Sequence, residues 1–94
     1  MLFGKWNINE NLQELTSFPQ PLASVIEPAL KNQVGTKLTP VLYCGEQLVN
    51  GHNYMLICKS KIVVPNATER LVEVVIHVNN DGSEYKILSI EDMF

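Results

Sequence analysis

The chain has 94 residues, 46 % of them apolar, with seven Lys and Arg against ten Asp and Glu for a formal charge of −3. That size allows one core but little room for a deep, enclosed catalytic pocket, and the apolar content argues against disorder. An acidic balance without a basic block speaks against nucleic acid as a partner, because phosphate contacts need clustered positive charge.

Residues 1–7 show no period and read as a flexible or extended arm ahead of a single domain spanning 1–94. From Ile8 to Phe18 the apolar residues Ile8, Leu12, Leu15 and Phe18 recur at near-helical spacing, which predicts a short helix ended by Pro19 and Pro21. A first strand near Lys5–Ile8 is the other reading of that start. Pro21 then suits a first helical turn, and Leu22, Val25, Ile26, Ala29, Leu30 and Gln33-Val34 share one face. The predicted helix spans about 21–34, with a kink at Pro28 and a stop at Gly35.

Leu38–Glu46 and Asn53–Ser60 read as the two arms of a hairpin around EQLVNGHN. Asn50-Gly51 is strong turn chemistry, yet Leu48-Val49 puts branched apolar residues where a tip is normally polar. Pairing centred on Val49 sets Cys44 opposite Tyr54, Leu42 opposite Leu56 and position 40 opposite Cys58. Cys44 and Cys58 are then four positions out of step, too far for a disulfide, and both share a face with Leu42 and Leu56 as buried thiols. After the link 60–70, Leu71–Val78 alternates with Val72, Val74, Ile76 and Val78 on one face and Glu73, Val75 and His77 on the other. Asn79–Gly82 is a turn and Tyr85–Ile90 the last strand. The expected fold is α+β, one α-helix across a four- to five-stranded antiparallel sheet. In a meander of this order the 47–51 and 79–82 turns emerge at the same end, and a first strand near the start of the chain would bring the arm there too.

Chemistry has little foothold in this pattern. No metal-ligand spacing, CxxC pair or phosphate loop is present, and neither histidine is set beside a nucleophile by the sequence, so no enzyme activity, metal or cofactor is expected. No stretch approaches the roughly 20 apolar residues of a membrane span, and MLFGKWNINE lacks a signal-peptide core. The expectation is a cytoplasmic chain without a membrane partner, with a secreted mature form left open. Asn66-Ala67-Thr68 fits the glycosylation sequon and matters only in that secreted case.

These residues resemble the cystatin family, and its small disulfide-free stefin type in particular. Gln47, Val49 and Gly51 match a Gln-x-Val-x-Gly hairpin, and Gly4 behind Leu2-Phe3 matches an N-terminal glycine behind an apolar trunk. VIEPAL (25–30), GTKLTPVLY (35–43) and NYMLIC (53–58) resemble the helix and the strands either side of the hairpin, so the likeness covers nearly the whole chain. Lys5 stands where stefins often carry a second glycine, and the stretch from Pro28 to Gln47 is a few residues short. The resemblance implies a cystatin-like fold and reversible, competitive inhibition of papain-like cysteine proteases by a wedge. Leu2, Phe3 and Gly4 would enter one side of the cleft, Gln47, Leu48, Val49, Asn50 and Gly51 its middle, and Asn80, Asp81 and Gly82 its far side. A non-inhibitory scaffold of the same fold is the alternative. The expected state is a monomer, with a hairpin-swapped dimer as the other outcome.

Overall fold

The structure, a computed structural model, describes residues 5–9, 18–31, 33 and 35–93. β1 (Trp6–Ile8) is followed by α1 (Leu22–Lys31), then β2 (Thr36–Val49), β3 (Gly51–Ile62), β4 (Arg70–Val78) and β5 (Tyr85–Asp92). The five strands form one antiparallel sheet in chain order, with α1 packed on one face.

Alternation decides which face the helix covers. Val72, Val74, Ile76 and Val78 of β4 are buried against Tyr54, Leu56 and Cys58 of β3, and Leu22, Val25, Ile26, Ala29 and Leu30 close the core from above. Each branched residue removed from water contributes roughly 1.5–3 kcal/mol, so this single layer contact dominates stability. The buried Tyr54 hydroxyl donates to the Gln20 carbonyl at 3.4 Å, and Phe18 meets the Tyr43 ring edge-on at 6.4 Å. Both contacts tie the helix entry to the sheet.

Three expectations change. Ile8 belongs to a strand, not to a helix reaching Phe18, because its backbone is taken up by pairing with Gly45; Leu12 and Leu15 lie outside the described residues. The helix ends at Lys31, and Gln33 lies outside it, its carbonyl accepting from Thr36 N at 3.4 Å as the chain turns back. Pro28 sits on the exposed side of α1, where the bond its missing N–H would have given to Ser24 faces water. The third change is the register of the long hairpin. Its pairs near the tip are Val49↔Gly51, Gln47↔Asn53 and Glu46↔Tyr54, centred on Asn50 rather than Val49. Two irregularities, between Pro40 and Leu42 and between Tyr43 and Gly45, each absorb one residue, so that Pro40 does face Cys58 as expected. Leu42 consequently pairs with Ile57 and lies on the sheet face opposite Leu56.

Both cysteines are free. Burial, then the neighbouring Cys44, pushes the Cys58 thiol up to about 12, and burial raises Cys44 as well. Reactive thiols need the opposite shift; Cys58 packs in the core as expected, whereas Cys44 is only half-buried, in a surface hollow with Leu42 and Met55.

Candidate functional site

The sheet brings two turns and the start of the described chain to one end. β1 runs antiparallel to β2 with Ile8 beside Gly45 and Trp6 beside Gln47, so the chain reaches β1 from the tip side. Val78, the last residue of β4, lies opposite His52, two positions from the tip. The 79–82 turn therefore stands next to the 47–51 tip, and Asn80 Nδ2 reaches Asn50 Oδ1 at 3.5 Å.

The tip is held by a hydrogen-bonded row across three strands. Asn53 Nδ2 donates to Gln47 Oε1 at 3.0 Å, and Asn53 Oδ1 lies 2.8 Å from His77 Nδ1. With the Asn53 oxygen facing it, Nδ1 is the donor of this bond. Gly51 closes the turn with φ +96°; a Cβ there would stand 2.5 Å from the Val78 carbonyl oxygen and 2.9 Å from His77 Cε1. Only glycine meets both the left-handed backbone and the close approach.

The expected site residues are distributed unevenly over this end. Leu48 is 58 % exposed on the side that carries His52, whose ring stacks on Tyr54 at 5.7 Å. Val49 is half-buried on the other side, lining a groove of about 250 Å³ with Gln47, Asn53, His77 and Leu88. The apolar tip is therefore not one knob: successive strand residues point to opposite faces, and the two side chains straddle the hairpin. Gln47 is half-buried and bonded along the sheet, Asn50 is exposed, and Gly51 is buried. In the second turn Asn80 and Asp81 are exposed while Gly82 lies against Pro21. The Asp81 carboxylate accepts from Ser83 Oγ at 2.6 Å and Ser83 N at 2.9 Å, which holds its carboxyl below the usual range. Leu2, Phe3 and Gly4 lie outside the described residues.

Asn53 and His77 were not anticipated as site residues. A hairpin centred on Val49 puts Gln47 opposite residue 51, whereas centring it on Asn50 aligns Gln47, Asn53 and His77 in one row. Polar residues at matching positions of three predicted strands were the available signal. His52 Nδ1 lies 3.4 Å from Glu46 Oε2 but is not aligned for a hydrogen bond, so the contact is one of charge alone when the ring is protonated. Among the described residues no cluster of three or more His, Cys, Asp or Glu side chains could hold a metal ion, and no helix is long and apolar enough to cross a membrane. Compared with protein-family models, curated proteins and solved structures, the chain matches none.

Proposed function

We propose that this protein is a reversible, competitive inhibitor of papain-like cysteine proteases, acting as a cystatin-like wedge without chemistry of its own. The observation that carries the reading is the convergence at one sheet end of the 47–51 tip, the 79–82 turn and the strand that follows Gly4, with the two turns in contact through Asn50 and Asn80. Side by side, these elements form one edge of the kind a cleft takes in. Its tip is held ready by the Gln47–Asn53–His77 row, so little ordering entropy opposes binding. Leu48, already exposed, contributes roughly 1.5–3 kcal/mol when a cleft buries it, and Val49 adds contact from the opposite side of the hairpin.

Titration against papain with a small chromogenic substrate tests this. Competitive inhibition that is lost on dilution supports the wedge. Leu48→Asp, at an exposed position, should leave the fold intact and weaken inhibition by several kcal/mol, on the order of 100-fold or more, since a charge would enter the cleft unpaired. A folded wild-type protein that leaves papain fully active at micromolar concentration overturns the proposal. Inhibition that Leu48→Asp and Val49→Asp both leave unchanged removes the tip from it.

A further inference from the structure

The far end of the β2–β3 hairpin carries two local features that oppose stability. Ile62, Val63 and Val64 are 50 %, 70 % and 54 % exposed in sequence, an apolar run at a turn where polar residues are the norm. Beside them Lys37 and Lys61 stand directly opposite each other in the β2–β3 register, an arrangement of like charges that costs stability. Leu38 and Ser60 are buried under the helix, so alternation places Lys37, Lys59 and Lys61 together on the other face. None of the three is ion-paired with a described residue, and the nearby Arg70 is taken by Asp92 at 2.9 Å. The apolar run is not a frayed end: Val63 N donates to the Gly35 carbonyl at 3.0 Å and Val64 N to Ile62 O at 2.9 Å. An ordered display of exposed aliphatic side chains, backed by cations that enter no ion pair among the described residues, marks an interaction surface.

We infer that this end of the molecule docks peripherally on an anionic lipid bilayer. Along the end of β3 and the turn after it the order is Lys59, Lys61, then Ile62, Val63 and Val64. A bilayer surface offers the complementary layers in the same order, phosphates for the ammonium groups and the acyl boundary for the aliphatic tip beyond them. A shallow hollow among Lys37, Lys61 and Val63 gives a headgroup room beside both charges. A protein partner would need a matched face of about 800 Å², whereas this surface is a turn at the end of a body 44 Å long. That no described helix is long and apolar enough to cross a membrane bears on crossing, not on such docking. The surface lies at the opposite end of β3 from the 47–51 tip and is independent of the inhibitor reading.

Flotation of the full chain with vesicles tests the inference. Vesicles of phosphatidylcholine with about one-third phosphatidylserine should carry the protein up, and vesicles of phosphatidylcholine alone should not. Lys37→Gln with Lys61→Gln should weaken partitioning by roughly 25-fold, about fivefold for each lysine at an anionic surface. Val63→Asp with Val64→Asp should abolish it while the urea midpoint stays in place. Trp6, at the tip end, should keep its emission on vesicle binding, whereas a Val64→Trp variant should add a blue-shifted component. Equal partitioning into both vesicle types, indifference to the lysine pair, or a shift of Trp6 with none from Val64→Trp overturns the proposal. So does binding to polyglutamate without binding to vesicles, which would assign the surface to an acidic protein.

Discussion

Gly51 at the tip of the β2–β3 hairpin and Gly35 at its foot share a left-handed backbone, with φ of +96° and +77°, but not their surroundings. A Cβ on Gly51 would press on the Val78 carbonyl, while one on Gly35 would meet nothing within 4 Å. The same contrast runs through the rest of the two ends. At the tip, side chains from β2, β3 and β4 are bonded in a row and the neighbouring turn is bonded within itself. At the foot, among the described residues, the apolar turn is fastened by backbone hydrogen bonds and Lys37, Lys59 and Lys61 enter no ion pair. One end is therefore specified by side-chain geometry, and its shape is what a partner would meet; the other offers composition, charge and grease, with little shape.

The glycines give the largest test of that difference. Gly51→Ala should cost about 3 kcal/mol, combining the left-handed penalty with a clash that pushes the tip off the end of β4. Gly35→Ala should cost only about 1 kcal/mol, the conformational part alone. Urea midpoints of the two variants measure this, and equal losses would mean that the tip is no more crowded than the foot. Asn53→Ala comes next. It removes one bond each from Gln47 and His77 in a half-buried setting, for an expected loss of about 1–2 kcal/mol. Asn80→Ala, whose bond to Asn50 is long and exposed, should change stability by less than about 0.5 kcal/mol. If Asn53→Ala is as mild as Asn80→Ala, the row does not hold the tip.

Acid should loosen the tip end before the foot. The Asp81 carboxyl is held below its ordinary value by the Ser83 hydroxyl and then the Ser83 amide. A depressed folded pKa means that its contribution is complete above the ordinary carboxylate range, near pH 4, and is lost as pH falls through the lower folded value. Amide exchange at Ser83 should rise as pH drops below about 4, beyond the intrinsic trend, and Asp81→Asn should remove that dependence. Exchange at Val63, whose partner is the Gly35 carbonyl, should show no such step. A step at Val63 as well would point to whole-domain opening instead of a local carboxylate.

Periodicity made the core legible: β4 buries Val72, Val74, Ile76 and Val78 as its alternation requires, and α1 buries the residues of its apolar face from Leu22 to Leu30. Turn chemistry located both turns, Asn50-Gly51 and 79–82. What escaped was register. Each β-bulge inserts one residue without changing the composition of the strand, so pairing centred on Val49 is correct at Pro40↔Cys58 and two residues off at Gln47. That slip hid the Gln47–Asn53–His77 row and made Leu48 and Val49 look like one apolar knob. The short β1 was ambiguous for a related reason: a spacing of four in Ile8 and Leu12 mimics a helix, while the three residues that pair with β2 are too few to show alternation. Helix length failed on competition at the C-terminus, where a turn from Gln33 to Thr36 takes over the chain after Lys31.

A further small effect bears on the foot alone, and its sign is unusual for a substitution. Lys37→Glu replaces a repulsive cross-strand pair with an attractive one opposite Lys61, which should stabilise the domain by a few tenths of a kcal/mol, up to about 1. Both groups are exposed, so salt should erase the gain, and it should be nearly gone at 1 M, where charges are screened beyond about 3 Å. Melting curves at low and high salt measure it. Most surface changes shift stability in neither direction by more than about 0.5 kcal/mol, so a reproducible, salt-sensitive gain would show that the native lysine is retained at a cost to the fold. That cost is intelligible if Lys37 and Lys61 are held side by side for an anion from outside the chain. A variant that is destabilised, or whose gain persists in 1 M salt, would mean that the pair does not repel as its register implies, and the foot would lose one of the two features that set it apart from the tip.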